Sequence, residues 1–355
     1  MAEAKDNGTP LHVALMDTSK AFDVVHHIGM LNSLFSHGIQ DQLWCIFNDM
    51  YNNITSAVKW EDDINEPFQE RQGIRQGGSS SADIYKCGKN KLLFQLENCP
   101  GNHIGHMPVG AIMVADDLLL NSKSPAELQF NIDIAESDAR KERYRFNADK
   151  TKILNINAQR DISFTLYGKH LSNSLGEPHL GITRTAANTN RDTINNRVKS
   201  ARRALYDLLG AGMSGLRNIG PVVALHGYTV YVEPILLYGL EATVPESKDI
   251  ICLTKFHRHT LRRFLNVPNS TAVCALHILS GSLPIEATIH KRALRLFRSN
   301  LDADADTPPA IFTRDLVLRQ LAVKDLESSS WTSYIKRLFL LCHLQGIPSF
   351  ISKMP

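Results

Sequence analysis

Two acidic runs about a hundred residues apart, MDTSKAFD at Met16–Asp23 and AIMVADDLLL at Ala111–Leu120, limit the folds open to this chain of 355 residues. Each sets carboxylates at the end of, or just inside, an apolar β-type run, where a buried charge is costly unless a cation balances it. The expected cation is Mg²⁺, because hard divalent ions take carboxylate oxygens. Two such ions about 4 Å apart form the clamp that steadies the attacking and leaving oxygens of an in-line displacement. Taken alone, A-D-D between apolar runs reads more simply as a solvated hairpin turn. What accompanies it decides between the two readings.

Periodicity places these runs in a coarse order. Leu11–Met16 reads as a strand delivering Asp17 at its end. From Asp23 the pattern turns helical, with Leu31, Leu34, Leu43, Ile46 and Met50 on apolar positions and a break near Gly38. A second helix is expected from Ser79 to about Leu96. Val109–Val114 and Leu118–Asn121 read as a hairpin with A-D-D at its bend, which brings Asp116 to one end of a sheet where the strand carrying Asp17 can lie beside it. Ser124-Pro125 introduces a charged helix over 125–145 as N-cap and N1 proline. Strands are expected again at Ile153–Asn157 and Ser163–Tyr167. Strand, helix, hairpin, helix, strand is an α+β order. From Asn190 the chain reads as helical, with Ile194, Val198, Ala201, Leu205 and Leu208 on one face and Arg197, Lys199, Arg202 and Arg203 over the rest.

Further motifs follow in sequence: Gly73-Ile74-Arg75-Gln76-Gly77-Gly78, then Phe146-Asn147-Ala148-Asp149-Lys150-Thr151-Lys152, then His179-Leu180-Gly181-Ile182, then Tyr231–Glu241 as YVEPILLYGLE. With MDTSKAFD and A-D-D, this ordered set resembles the reverse transcriptases of non-LTR (LINE-type) retrotransposons over roughly residues 11 to 300. That family's first motif reads D-x-x-K-A-F-D and its third x-A-D-D. Val114 stands where an aromatic residue is commoner, and His179 where tyrosine is usual.

The resemblance implies an RNA-directed DNA polymerase carrying out two-metal nucleotidyl transfer from a dNTP to a primer 3′ hydroxyl. Asp17, Asp116 and Asp117 would be the catalytic carboxylates and ligands of two Mg²⁺ ions, or of Mn²⁺ in their place. Phe22 would be the aromatic that blocks a ribose 2′ hydroxyl. Arg75, Gln76 and Gly77 would line the template and nucleotide pocket, with glycines allowing close backbone approach. Lys150 or Lys152 would lie near the triphosphate, although a lysine at a strand edge is commonly a solvated gatekeeper. Leu180 and Gly181 would form a primer-grip turn. Arg197, Lys199, Arg202 and Arg203 would track duplex phosphates, against the simpler reading of a solvated helix face. The implied partners are an RNA template, a DNA primer and dNTPs.

The implied fold is α+β: a right-hand polymerase palm, an antiparallel sheet with packed helices, over 1–185; a mostly α-helical thumb over 186–245; and a basic helical C-terminal region over 246–355. With sixteen residues before Asp17, the fingers are expected to be largely missing and the chain to be a fragment of a retrotransposon reading frame. Two alternatives stay open. One is an inactive relic that binds nucleic acid. The other is a different palm-fold nucleotidyl enzyme such as a cyclase, against which the RQGG segment and the basic tail argue, because a cyclase needs no template groove.

Charge distribution agrees with these readings. The net charge of +3 divides into −7 over residues 1–150 and +10 over 151–355. An acidic metal-binding half beside a basic half suits a polymerase, since phosphate contacts supply most sequence-independent affinity for nucleic acid. The six cysteines, at 45, 87, 99, 252, 274 and 342, include no C-x-x-C pair, so neither a zinc knuckle nor a disulfide framework is expected. The polar start MAEAKDNGTP and the lack of long apolar stretches predict no signal peptide and no membrane span, hence an intracellular protein, cytoplasmic or nuclear. Asp302, Asp304 and Asp306 read as an exposed linker and His26-His27 as structural.

Overall fold

In the computed structural model the described residues are 1–104, 107–158, 162–187, 189–213, 219–302, 308–323 and 325–342. Asp304 and Asp306 of the expected linker lie outside them. Asp302 ends a helix and pairs with Arg298 at 2.9 Å.

The chain forms two compact units, Thr9–Leu175 and Met1–Gly8 with Gly176–Pro355. The division falls before the boundary expected at 185, and the first eight residues belong with the C-terminal unit. They are held there because the Asp6 carboxylate accepts from the Ser328 hydroxyl at 2.6 Å and from the Ser329 amide at 3.0 Å.

The Thr9–Leu175 unit is built on a five-stranded sheet. Its strands are β1 (Leu11–Asp17), β2 (Ala111–Val114), β3 (Asp117–Ser122), β4 (Lys152–Ile156) and β5 (Ser172–Ser174), in the spatial order β5-β4-β1-β3-β2. All pairings are antiparallel except β4 with β5. β1 lies at the centre and is buried from Leu11 to Met16, which accounts for its near-continuous apolar run. In β3 burial alternates, so Leu118 and Leu120 join Ala14, Met16 and Ile153 in one core. In chain order, α1 (Ala2–Asn7), α2 (His27–Ser36) and α3 (Asp41–Tyr51) precede α4 (Ser81–Glu97) and α5 (Pro125–Lys141). That core is closed by Leu92 and Leu96 of α4 and by Leu128, Ile132 and Ala135 of α5. Each fully buried leucine here contributes roughly 2 kcal/mol.

The helical stretch after Asp23 becomes two helices, His27–Ser36 and Asp41–Tyr51, separated at Gly38 with φ +84°. Leu31 and Leu34 are buried as expected, but Leu43, Ile46 and Met50 are exposed. The second helix turns Trp44, Phe47 and Tyr51 inward instead, because aromatic rings fill the space beside Leu34 and Ile84. Ser163–Tyr167 does not enter the sheet. Only Thr165–Leu166 is a strand, and Tyr167 and Gly168 both have positive φ, so the chain reverses at once into Lys169–His170. The fifth sheet strand is the polar Ser172–Ser174. At α5 the expected Ser124 cap makes no side-chain bond. Ser122 serves in its place, accepting the Ser124 amide at 3.1 Å and donating to Glu127 at 2.5 Å.

The other unit begins with the hairpin of β6 (Gly176–His179) and β7 (Ile182–Thr185), followed by helices. Its first long helix, α6 (Arg191–Gly210), buries Ile194, Ala201 and Leu205 and half-buries Val198 and Leu208. The helix Ser247–Leu265 starts with a capping box between Glu246 and Asp249 and buries Leu253, Leu261 and Phe264. A further cluster joins Phe297, Leu321, Tyr334 and Leu338. Among the described residues, no helix is long and apolar enough to cross a membrane, and all six cysteines are free.

Candidate active site

Strand register builds the site. Ala14 and Met16 face the helices, so the two-residue period turns Asp17 to the opposite face of the sheet. The same count on β3 turns Asp117 away from Leu118 and Leu120. Asp17 and Asp117 are direct cross-strand partners. Asp116 occupies the bend between β2 and β3, after Ala115 at φ +54°. The Thr18 hydroxyl donates to the Asp116 carbonyl at 3.1 Å and ties this bend to the end of β1. The structure thus brings together Asp17, Asp116 and Asp117 from opposite ends of the acidic half.

Like charges directly opposite on a sheet are destabilising without a compensating cation. Lys150 supplies one, with its ammonium 3.3 Å from Asp17 Oδ2. The motif F-N-A-D-K-T-K explains how. Asn147 donates its amide to the Asp17 carbonyl at 2.8 Å, while its side-chain oxygen accepts from the amides of Asp149 at 3.0 Å and Lys150 at 3.2 Å. That Asx turn places Lys150 over the end of β1. Lys152 is directed elsewhere, to the Asp149 carbonyl at 2.9 Å and the Ser172 hydroxyl at 2.8 Å. Of the two lysines considered from sequence, only Lys150 meets the carboxylates.

The donor set suits a hard divalent ion in kind and in register: three carboxylates from adjacent strand ends. As they stand, however, no group of three His, Cys, Asp or Glu side chains among the described residues is arranged to hold a metal ion. Lys150 holds the position of counterion to Asp17.

The R-Q-G segment is laced to the first motif through backbone. Ile74 donates to the Phe22 carbonyl and Gly73 to the Val25 carbonyl, each at 2.8 Å. Gly73 sits at φ +104°, where a side chain would be strained. His27 accounts for its place in the sequence by contacting the Gly73 carbonyl at 2.8 Å. The Gln76 amide reaches Asp23 Oδ1 at 3.4 Å. Arg75 and Gly77 are exposed, and the Arg75 carbonyl accepts from Ser81 at 2.7 Å. Phe22 stacks on Tyr85, ring centroids 5.1 Å apart, at the start of α4. Burial pushes the Tyr85 phenol well up, and the negative charge of Asp116 adds to this. Thr18, Asn147 and Tyr85 escaped the sequence reading. Only the N-x-x-K-T spacing carried a signal, for Asn147.

In the C-terminal unit, Leu180 and Gly181 form the two-residue turn of the β6–β7 hairpin, both at positive φ, 51° and 75°. Arg197 already has partners within this unit. It donates to the Gly181 carbonyl and lies over the Tyr238 ring, 4.4 Å from its centroid. The Tyr238 hydroxyl reaches the Leu180 carbonyl at 3.4 Å. Lys199, Arg202 and Arg203 remain exposed on α6.

The family described as reverse transcriptase (RNA-dependent DNA polymerase) matches residues 1–183, and the chain belongs to that family. It is 29% identical over 156 residues to the retrovirus-related Pol polyprotein from the type-1 retrotransposable element R2 of Bradysia coprophila, covering 44% of this chain and 18% of that protein. The corresponding polyprotein of Nasonia vitripennis is 22% identical over 316 residues, 85% of this chain and 30% of that protein. The chain spans less than a third of the length of these curated relatives. Among solved structures, telomerase from Candida albicans in complex with a TWJ fragment of telomeric RNA aligns with 95% of this chain and 54% of its own at a TM-score of 0.43 and 11% identity.

Proposed function

We propose that this chain is the palm and thumb portion of a non-LTR retrotransposon reverse transcriptase, extending a DNA primer on an RNA template from dNTPs. The observation that carries the reading is the cross-strand pairing of Asp17 with Asp117 beside Asp116 at the bend. In this reading Asp17, Asp116 and Asp117 hold two Mg²⁺ ions, for which Mn²⁺ can substitute. When bound, such ions activate the 3′ hydroxyl and neutralise charge on the leaving pyrophosphate. Lys150 exchanges its pairing with Asp17 for the triphosphate of the incoming nucleotide. Phe22, braced by Tyr85, bounds the sugar; Gln76 and the glycines beside it approach the nascent pair. Leu180 and Gly181 hold the primer, and Lys199, Arg202 and Arg203 contact backbone phosphates. The domains proposed are palm to residue 185, thumb to 245 and a basic helical region beyond.

One observation favours a second reading, a relic that binds nucleic acid without extending it: Lys150 neutralises Asp17 while no three-ligand group is assembled among the described residues. Primer extension separates the two, using poly(rA) with oligo(dT), Mg²⁺ and dTTP for the parent chain, Asp116→Ala and Asp117→Ala. Extension by the parent that falls by several decades in the variants, on the order of 4 kcal/mol of transition-state stabilisation, supports the polymerase. A folded parent chain that shifts the primer-template but never extends it overturns that reading in favour of the relic.

A further inference from the structure

The Thr9–Leu175 unit contains a cavity of about 860 Å³ whose space the polymerase reading does not use, although Tyr85, which braces Phe22, is on its wall. Its size falls within the range of roughly 300–1,000 Å³ typical of small-molecule sites. Ala21, Val24 and Met30 give it an apolar wall, and Tyr85, Phe94 and Tyr144 give it aromatic ones. The lining includes one buried amine, Lys89 of α4, only 8% exposed. Its nitrogen lies 2.8 Å from the centroid of the Tyr144 ring and 5.5 Å from that of Tyr85.

Lys89 makes no ion pair among the described residues, and the carboxylates that face it are engaged elsewhere. Asp138 of α5 accepts the Tyr144 hydroxyl at 2.8 Å, and Glu142 pairs with Lys91 at 3.2 Å. A bound anion would meet both of those acids, so the surroundings disfavour an anionic ligand. They favour a neutral, flat, electrophilic one. Desolvation pulls the Lys89 ammonium down to about 7, against the opposing pull of Asp138 and Glu142. His26, His37 and Lys91 are the other titratable groups on the cavity lining.

We propose that Lys89 is the nucleophile of a covalent ligand site that takes small aromatic aldehydes into the cavity walled by Tyr85, Phe94 and Tyr144. The unprotonated amine attacks the aldehyde carbon, forming C–N. The carbonyl oxygen leaves as water with the two amine protons, and an imine remains on Lys89. No oxidant or reductant takes part. Burial holds the Asp138 carboxyl above the usual carboxylate range, and it accepts the Tyr144 hydroxyl at 2.8 Å beside the amine.

The test treats the full chain with salicylaldehyde and sodium cyanoborohydride, whose hydride reduces the imine to a stable secondary amine, and maps the adduct by peptide mass spectrometry. An ordinary lysine is only about 0.1% unprotonated at pH 7.5. Lys89 is expected to label at least ten times faster than Lys86, an exposed lysine on the same helix. Its rate should level off above about pH 7, where that of an ordinary lysine goes on rising. Lys89→Met should remove the fast-labelling equivalent. Labelling of Lys89 no faster than Lys86, or with the same pH profile, overturns the proposal. That comparison is internal to the parent chain and stands even if the variant fails to fold.

Discussion

Lys150 Nζ stands 3.3 Å from Asp17 Oδ2, at the end of the central strand and on the residue that faces Asp117 across the sheet. In the proposed polymerase the lysine and a divalent ion would therefore compete for one carboxylate. Both side chains are partly exposed, 67% and 31%, which limits the pair to roughly 0.2–1 kcal/mol. Lys150→Ala should tighten Mn²⁺ binding about two- to five-fold, read by isothermal titration without nucleotide, and raise KM for dTTP about tenfold. Weaker Mn²⁺ binding in the variant would show that Lys150 supports the ion rather than displacing it.

Phe22 is fixed on two sides, by the Tyr85 ring and by the Ile74 amide on its carbonyl. A ring so held can exclude a hydroxyl by shape alone. Phe22→Val should leave dTTP use within a few-fold of the parent and improve UTP use about 10- to 100-fold, a change of about 1–3 kcal/mol in discrimination. The ratio of kcat/KM for the two nucleotides measures it. An unchanged ratio would remove Phe22 from sugar selection.

At Gly181 the backbone has φ +75°, and a Cβ would come within 2.7 Å of Arg197 Nη2 and 2.9 Å of Tyr238 Cε1. Left-handed strain of about 1–2 kcal/mol and displacement of that stacked pair act together. Gly181→Ala should lower Tm by roughly 5–10 °C in a calorimetric scan. Leu180, at φ +51° in the same turn, should behave oppositely: Leu180→Gly relieves strain and leaves Tm equal or slightly raised. Equal losses from both variants would mean that left-handed strain does not govern this turn.

The strands that carry Asp17 and Asp117 were legible because their signals are local. Period-two burial in LHVALM and the bend in A-D-D fix register with little help from the rest of the chain. Leu43, Ile46 and Met50 misled because an apolar helical stripe does not say which neighbour is bulkier, and Trp44, Phe47 and Tyr51 won the inner face. Arg197 misled for a similar reason. Its charge pointed to phosphate and gave no sign of the partners it meets here, Gly181 and Tyr238, which are distant in sequence. Lys89 gave no signal at all, since its environment comes from rings at 85 and 144 that only the packing of α4 beside α5 brings together.

His257 links stability of the C-terminal unit to pH. It is 1% exposed, and its Nδ1 lies 2.7 Å from the Tyr228 hydroxyl. Burial, reinforced by the stacked His277 ring at 5.8 Å, holds it down to about 4. In the unfolded chain a histidine titrates near 6.5. Between these two values the unfolded state binds a proton that the folded state refuses, so stability is intact above about pH 6.5 and falls as pH drops toward 4. The full window is worth on the order of 3 kcal/mol, of which roughly 2 are lost by pH 5. His257→Gln keeps an acceptor for Tyr228 but cannot take the proton. Its Tm should therefore fall less between pH 7 and pH 5 than that of the parent, by several degrees in paired scans. Parallel losses in the two chains would place the acid sensitivity on another group.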